Sequence, residues 1–577
     1  MVFHPPERLP KLPPVPDSIT LEEFMSNEQY GRYPLDQSRS PYTCGLTGKT
    51  YSAREVKQRV DFLARGIGKR LGFHPHQDTA WDRVVTLFSL NTIDYIPFTH
   101  AVHRLDGIVA PASAAYSASE LEHQLRSSGA KALFTCTALL DTARKAAKAA
   151  GLSEDNIFIL SMAGDTGSPP HTTVDELISQ GRQLPPTPPL QWAKGQGARQ
   201  VAYLCYSSGT SGLPKAVMIS HTNIISNVLA GCVGEAPTRD ELHITTQVAL
   251  GLLPLSHIYG LTVVALVSQY RGDEVIVLPK FEIDSFLQAV DRFKIRRLNI
   301  VPPILISMMQ NEDKCRQHDL RSVKFLYSGA APLGKELVQD ALKRYPQWRV
   351  GQGYGMTEAS PLVTSTDELD VDIGSSGSLV PGTYAKIVTP DGHEVTAYDT
   401  PGEMLVQGPS VVLGYLHSER ANAETFIWDE DGRWLRTGDE VVVRKSAQGN
   451  EHWFVVDRIK ELIKVKGHQV APAELEAHLL THPAVYDCAV IPVQDPRAGE
   501  VPKAYVVKVS SATAGNPDEE IAQALEKHVQ DHKANHKWLR GGVEFVDAIP
   551  KSASGKILRK DLKERERARQ REEGAKL

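Results

Sequence analysis

Tyr206-Ser-Ser-Gly-Thr-Ser-Gly-Leu-Pro-Lys215 gathers Ser207, Ser208, Thr210, Ser211, Gly209, Gly212 and Lys215 within ten residues. Glycines let backbone N–H groups come close to phosphate oxygens, and Ser and Thr hydroxyls add donors. Lys215 supplies a positive charge for a polyphosphate. The segment follows an apolar run, Val201 to Leu204, and leads into Ala216-Val-Met-Ile. A Walker A loop needs Gly-x-x-x-x-Gly-Lys-Ser/Thr. Counted from Gly209, the second glycine position holds Pro214 and the last holds Ala216, so that match fails. A plain Ser/Gly linker would not need the Leu-Pro-Lys ending.

The surroundings of this loop read as α/β. Val56, Val60, Leu63, Ile67 and Leu71 fall on one face of a helix spanning Ser52 to Leu71. Strand-like runs follow at Arg83-Val-Val-Thr-Leu-Phe, Lys131-Ala-Leu-Phe-Thr, Asn156-Ile-Phe-Ile-Leu, Glu274-Val-Ile-Val-Leu and Ser322-Val-Lys-Phe-Leu-Tyr. Strands alternating with helices imply largely parallel sheets. After about residue 370 the pattern changes to short β runs at Ala385-Lys-Ile-Val, Gly402-Glu-Met-Leu-Val, Glu440-Val-Val-Val and His452-Trp-Phe-Val-Val. The expected architecture is a large N-terminal domain of several subdomains, 1–457, with parallel sheets and a β-rich part, and a small α+β C-terminal domain, 458–577, which the family resemblance given below implies is mobile. At 577 residues the chain exceeds what one hydrophobic core holds.

Composition excludes several classes. A formal net charge of −5 gives no basic footprint for nucleic acid. The six cysteines, Cys44, Cys136, Cys205, Cys232, Cys315 and Cys488, form no Cys-x-x-Cys pair, so they read as reduced thiols rather than a zinc cluster or a disulfide framework. The apolar stretch from Leu261 to Gln269 is far shorter than the ~20 residues of a membrane span. The N-terminal sixteen residues are proline-rich and read as extended, and Lys560 to Lys576 reads as a solvated helix or frayed tail.

Further segments carry polar groups in order along the chain. They are Pro254-Leu-Ser-His257-Ile-Tyr-Gly-Leu, Tyr327-Ser-Gly-Ala-Ala-Pro332, Gly351-Gln-Gly-Tyr-Gly-Met-Thr-Glu358, Leu435-Arg-Thr-Gly-Asp439, Val456-Asp-Arg458-Ile-Lys460-Glu-Leu-Ile-Lys464-Val-Lys466-Gly-His-Gln469 and Ile549-Pro-Lys-Ser-Ala-Ser-Gly-Lys556. Each alone has a bland reading: a core histidine, a glycine turn, a Thr-Gly-Asp β-turn, a charged face. Together they resemble the AMP-binding signatures of adenylate-forming enzymes, and the plant coumarate–CoA ligase type of acyl-CoA synthetase in particular. Ala216 stands where the family often has glycine, a minor departure.

The resemblance implies a reaction and a set of roles. A carboxylic acid and ATP would give acyl-AMP and pyrophosphate, and coenzyme A would then take the acyl group. Ser207, Ser208, Gly209, Thr210, Ser211, Gly212 and Lys215 would bind the phosphates. Gln352, Gly353, Tyr354 and Thr357 would hold the adenylate, with Tyr354 on adenine and Thr357 at the α-phosphate. Asp439 and Arg458 would bind ribose, Lys460 would mark the hinge, and Glu358 would help hold Mg²⁺. A hard cation suits such oxygen ligands. Tyr259, Val263, Ala330 and Gly353 would line the acyl pocket beside His257, the small residues at Ala330 and Gly353 leaving room for an aryl ring or a medium chain. Lys280, Lys466 and Gly467 would border CoA; Lys464 and Gln469 would serve thioester formation, and Lys556 adenylation. Such chemistry rests on positioned charge rather than a protein nucleophile.

Three other readings share the motifs: an adenylating enzyme that loads a carrier protein, a luciferase-like oxygenase, and a non-catalytic binding protein on the same fold. The match from Lys464 to Gln469 favours CoA as acceptor, and intact Lys215, Glu358, Asp439 and Lys556 favour catalysis. Finally, Ala575-Lys576-Leu577 is a conservative variant of the Ser-Lys-Leu peroxisomal address, so the expected location is the peroxisome, reached through its import receptor, with a role in fatty-acid metabolism or secondary-metabolite tailoring.

Overall fold

The computed structural model describes residues 1–165, 170–207, 214–466, 468–509, 517–552 and 555–574. The helix expected from the 52–71 spacing runs Ala53–Leu71. Ser52 caps it, its side chain accepting from the Glu55 N–H while the Glu55 carboxylate accepts from the Ser52 N–H, and Gly72 ends it at φ 69°. Val56, Val60, Leu63 and Ile67 are buried as the spacing requires.

Two α/β sheets build most of the chain. One orders its seven strands Gly414–Tyr415, Lys215–Ser220, Val201–Ser207, Ile108–Ala112, Val84–Phe88, Ala132–Thr135 and Ile157–Ile159. Its last five are parallel and the first two turn antiparallel. The other orders eight: Tyr42–Cys44, Glu274–Val277, Val248–Gly251, Arg297–Ile300, Phe325–Ser328, Arg349–Gly355, Leu362–Ser365 and Ser378–Leu379. Its first six are parallel. An antiparallel sheet follows, with Gly432–Lys445 at its centre beside Gly402–Gln407, Phe426–Asp429 and Glu451–Arg458. A last five-stranded sheet pairs Val485–Asp495 with Gly499–Lys508 and carries the hairpin Ile463–Val465/His468–Val470.

The apolar residues gather into one large core from Phe3 to Trp453 and a second from Ile463 to Leu562, with two smaller clusters under the first sheet. The second core is the sheet-and-helix unit expected at the C-terminal end.

Three expectations need adjusting. Ser322-Val-Lys lies before the strand, which starts at Phe325, although Val323 is buried. The proline-rich start is extended but anchored: Phe3 bridges to Ala385 and packs edge-on against Trp453. The charged tail is the helix Arg559–Gly574, and it is not wholly solvated, because Glu566 is buried beneath the Tyr505 hydroxyl (3.0 Å) and pairs with Lys503. The apolar stretch near Leu261 folds as a wide-turned helix, Tyr259–Leu266, every residue of it buried. Among the described residues no helix is long and apolar enough to cross a membrane. The six cysteines are free thiols.

Candidate active site

Ser207 ends one strand and pairs in register with Lys215, which opens the next. The glycine-rich loop therefore joins two antiparallel strands, unlike a Walker A loop, which opens a helix. Ser208, Gly209, Thr210, Ser211 and Gly212 lie outside the described residues. Lys215 places its Nζ 5.0 Å from the centre of the Tyr415 ring. The Tyr415 hydroxyl donates to Glu358 Oε1 at 2.8 Å. Glu358 is buried in a single helical turn, Thr357–Ala359, that follows the strand Arg349–Gly355.

Tyr354, near the end of that strand, donates its hydroxyl to Asp439 Oδ2 at 2.7 Å. Asp439 lies opposite Arg458 in the antiparallel ladder, with Arg458 Nε 3.6 Å from Asp439 Oδ1. Burial pushes the Asp439 carboxyl above its ordinary value, while the Arg458 charge and the Tyr354 hydroxyl pull against that rise.

Lys556 reaches this group from the other core. Lys551 bridges to Ile557, the Ser552 N–H donates to the Lys556 carbonyl at 2.8 Å, and the loop turns at Gly555 with φ 81°. A Cβ on Gly555 would stand 3.2 Å from Val301, so the loop sits directly on the large unit. Burial, and then the Arg458 charge, lowers the Lys556 ammonium to about 8, with Glu461, Asp439 and Glu358 opposing. His257 feels the same lysine: burial first, then the Lys556 charge, lowers its imidazole to about 4. Its Nδ1 accepts from the Tyr259 N–H at 3.3 Å, which suits a neutral ring.

Tyr354, Asp439, Arg458 and Lys556 line a cavity of about 660 Å³ between the two cores, together with Ala330 and Gly353 among others, whereas Lys215, Tyr415, Glu358 and His257 are not among its lining residues. Gln352 lines it too, but its Oε1 already accepts from the Leu333 N–H at 2.9 Å, so it braces the loop through Ala330 as well. The acyl candidates divide. Ala330 and Gly353 line the large cavity. The room beside Gly353 is already taken: an added Cβ would lie 2.1 Å from the Tyr327 hydroxyl, so the missing side chain makes space for Tyr327 rather than for the acid. Tyr259 is buried behind Gly329 and donates to the Tyr327 carbonyl at 3.2 Å. Val263 faces a separate small cavity behind Tyr327, shared with Glu235, Arg271 and Arg297. Glu235 accepts from Arg271 at 2.7 Å and from Arg297 at 2.8 Å. Despite burial, those two charges hold the Glu235 carboxyl down to about 2.

The structure leaves the CoA-side candidates outside this cavity. Lys464 and Gln469 are cross-strand partners on an exposed hairpin, and Lys466 is exposed at its turn with φ 49°. Gly467 lies outside the described residues. Lys280 is exposed and paired with Glu282 at 2.7 Å. Lys460 is exposed in the turn between Arg458 and Ile463. Three contributors were given no role in the sequence reading: Tyr415; Tyr327, although it opens the segment Tyr327 to Pro332; and Arg559, which lines the cavity and pairs with Glu461 (2.6 Å) and Glu476 (2.7 Å). Arg559 had a signal in standing three residues past Lys556, and Tyr327 in opening its segment, while Tyr415 had none.

Residues 32–416 match the model of the AMP-binding enzyme family, and residues 474–556 match that of the AMP-binding enzyme C-terminal domain. The chain is 38% identical over 569 residues to the acyl-CoA ligase easD of Emericella nidulans, covering 98% of this chain and all of that one. It is 36% identical over 532 residues to a 4-coumarate–CoA ligase of Pinus taeda, covering 90% and 91%. Among solved structures it resembles the anthranilate CoA ligase AuaEII in complex with anthranoyl-AMP, with a TM-score of 0.78 at 24% identity over 95% of this chain and 98% of that one.

Proposed function

The chain belongs to the AMP-binding enzyme family and is an ATP-dependent acyl-CoA ligase, and from that premise we propose how its residues divide the work. In the first half-reaction an acid's carboxylate oxygen attacks the α-phosphorus of ATP and pyrophosphate leaves. In the second, the CoA thiol attacks the acyl carbon and AMP leaves. The observation that carries the assignment is the convergence of Lys556, Asp439, Arg458 and Tyr354 around one cavity, with Lys556 delivered from the second core.

Lys556, cationic at neutral pH, aligns the incoming carboxylate and offsets charge on the α-phosphate. Lys215, beside Tyr415, meets the outer phosphates together with the loop from Ser207 to Gly212. Asp439 accepts from the ribose hydroxyls; doing so displaces one existing partner, the Tyr354 hydroxyl, whose ring then lies along adenine. Arg458 steadies Asp439, Thr357 donates to the α-phosphate, and Gln352 and Gly353 form the adenylate shelf. His257, kept neutral, borders the acyl group.

Mg²⁺ fits the donors present. Glu358 is buried, its Oε1 is held by Tyr415, and its Oε2 has no hydrogen-bond partner among the described residues. Bound there, the ion would neutralise phosphate charge.

The acid enters the cavity against Ala330 and the Gly353 backbone, with Tyr327 packed behind that glycine, and the cavity's volume of about 660 Å³, not space beside Gly353, supports an aryl or medium-chain acid. For transfer, the unit 458–577 turns about Lys460, removing Lys556 and bringing in Lys464 and Gln469, with Lys280, Lys466 and Gly467 along the CoA path. The boundary after residue 457 is supported by the cores, since the large one includes Trp453 and the small one begins at Ile463. Import into peroxisomes rests on Ala575-Lys576-Leu577, outside the described residues; an N-terminally tagged chain should be punctate, and diffuse once the last three residues are removed.

The deciding assay is acid- and CoA-dependent AMP formation by the purified chain. AMP formed without CoA dependence in product release, or an acyl group found only on a carrier protein, would overturn CoA as the acceptor.

A further inference from the structure

A second group of chemically capable side chains lies on the C-terminal core, apart from the groups assigned above. His478 stands near the end of the helix Pro472–Leu479. His528 and His532 stand four apart on the last turns of the helix Asp518–His532, hence on one face. The His478 and His528 rings stack at 4.2 Å between centroids with planes 2° apart, and His532 lies 5.2 Å from the first and 5.3 Å from the second.

Each ring is oriented by a backbone carbonyl. His478 Nε2 lies 3.2 Å from the His528 carbonyl, His528 Nε2 lies 3.3 Å from the His478 carbonyl and 3.0 Å from the Thr481 hydroxyl, whose own proton goes to the His478 carbonyl (2.7 Å), and His532 Nδ1 lies 2.9 Å from the His528 carbonyl. A carbonyl only accepts, so those three nitrogens carry the protons. The opposite nitrogens, Nδ1 of His478, Nδ1 of His528 and Nε2 of His532, are left as lone-pair donors. This is how metal-binding histidines are held: one nitrogen donates to a carbonyl or carboxylate, which fixes the tautomer and raises the basicity of the other. Three histidines whose candidate ligand atoms lie within 4.8 Å of one another also have the type and number of a zinc-class site.

We infer that His478, His528 and His532 bind a divalent transition metal of the zinc class and clip the two helices together. Reaching the nitrogen separation of a tetrahedral site, about 3.3 Å, requires the stacked pair to splay and the exposed His532 to swing in. The fourth position would be water. The clip fastens a helix that also meets the large unit, since a Cβ on Gly334 would stand 3.2 Å from Ala477. It therefore braces the moving unit without touching the reacting atoms.

The test uses the full chain, stripped with chelator and titrated with Co²⁺, whose visible bands report tetrahedral coordination. One equivalent should bind with such bands and with no thiolate charge-transfer band, and Zn²⁺ should displace it and raise the melting temperature. His532→Ala, at an exposed position, should weaken Co²⁺ binding by at least about tenfold and abolish the Zn²⁺-induced thermal shift, with the variant's fold checked by circular dichroism. Equal binding and equal spectra in the wild type and His532→Ala, a thiolate band, or no tetrahedral band at one equivalent would each overturn the site.

Discussion

Two lysine-bearing loops project from the same small core, and they meet opposite surroundings. The loop carrying Lys556 joins that core through Ile549 and Ile557 and lies against Val301 of the large unit, with its ammonium drawn into the cavity. The hairpin carrying Lys464 and Gln469 joins it through Ile463, Val465 and Val470, and presents both residues to solvent. One rigid body thus offers two chemically different faces and seats one of them. The proposed two-step reaction, in which the second step uses the other face, is consistent with this contrast and gives the exposed Lys464 a role to be tested.

The strongest way to break the comparison is to remove the seated charge. Lys556→Ala should slow acid-dependent pyrophosphate release by roughly 10²–10³, while transfer from supplied acyl-AMP to CoA stays within a few-fold. Equal losses in both half-reactions would mean that the seated loop serves the fold rather than the first step.

The exposed face should respond in the opposite sense. Lys464→Ala and Gln469→Ala should leave adenylation intact and slow transfer to CoA, on the order of 10² at most, as for a misplaced orienting group. Acyl-AMP should then build up on the enzyme in a single turnover. Lost adenylation with unimpaired transfer would reverse the assignment of the two faces.

The acyl side sharpens a different part of the picture. Gly353→Ala sets a methyl group against Tyr327, at 2.1 Å from its hydroxyl, in a packed wall. It should cost about 1–3 kcal/mol of stability and raise KM for the acid severalfold. An unchanged melting temperature and an improved rate with smaller acids would mean that the space beside Gly353 belongs to the substrate after all.

How much of this was legible beforehand follows from what each feature depends on. The helix Ala53–Leu71 was readable because spacing, a Ser cap and a terminal glycine all speak locally. Lys215, Asp439, Tyr354 and Lys556 were readable as members of ordered motifs; the last three line one cavity, while Lys215 lies against the Tyr415 ring. Tyr327 and Tyr415 were not assigned, because their roles come from partners far along the chain: Gly353 for one, Glu358 and Lys215 for the other. The same holds for Glu566, whose burial depends on Lys503 and Tyr505 in a distant strand, so a helix that reads as uniformly charged hides one inward carboxylate. The ion cluster of Glu235, Arg271 and Arg297 has no local signature either, since its three members come from three different elements.

The mildest perturbation, which alters no residue, is a pH limb on one half-reaction alone. Burial and the Arg458 charge lower Lys556 to about 8, and the cation is the form that stabilises phosphate charge. Adenylation should therefore be full below that value and fall as pH rises through it, by about tenfold between pH 7 and pH 9 for a single titrating group. His257, lowered to about 4, stays neutral over this range and adds no limb. The exposed hairpin predicts no matching fall in transfer, where raising the pH generates more thiolate at CoA. Pyrophosphate release and thioester formation, each measured from pH 6 to pH 9.5, should thus diverge on the alkaline side. Lys556→Arg, which keeps its charge throughout, should flatten the adenylation limb even if it lowers the plateau. An alkaline fall of the same midpoint persisting in Lys556→Arg would assign the titration to another group and remove the electrostatic part of the contrast between the two loops.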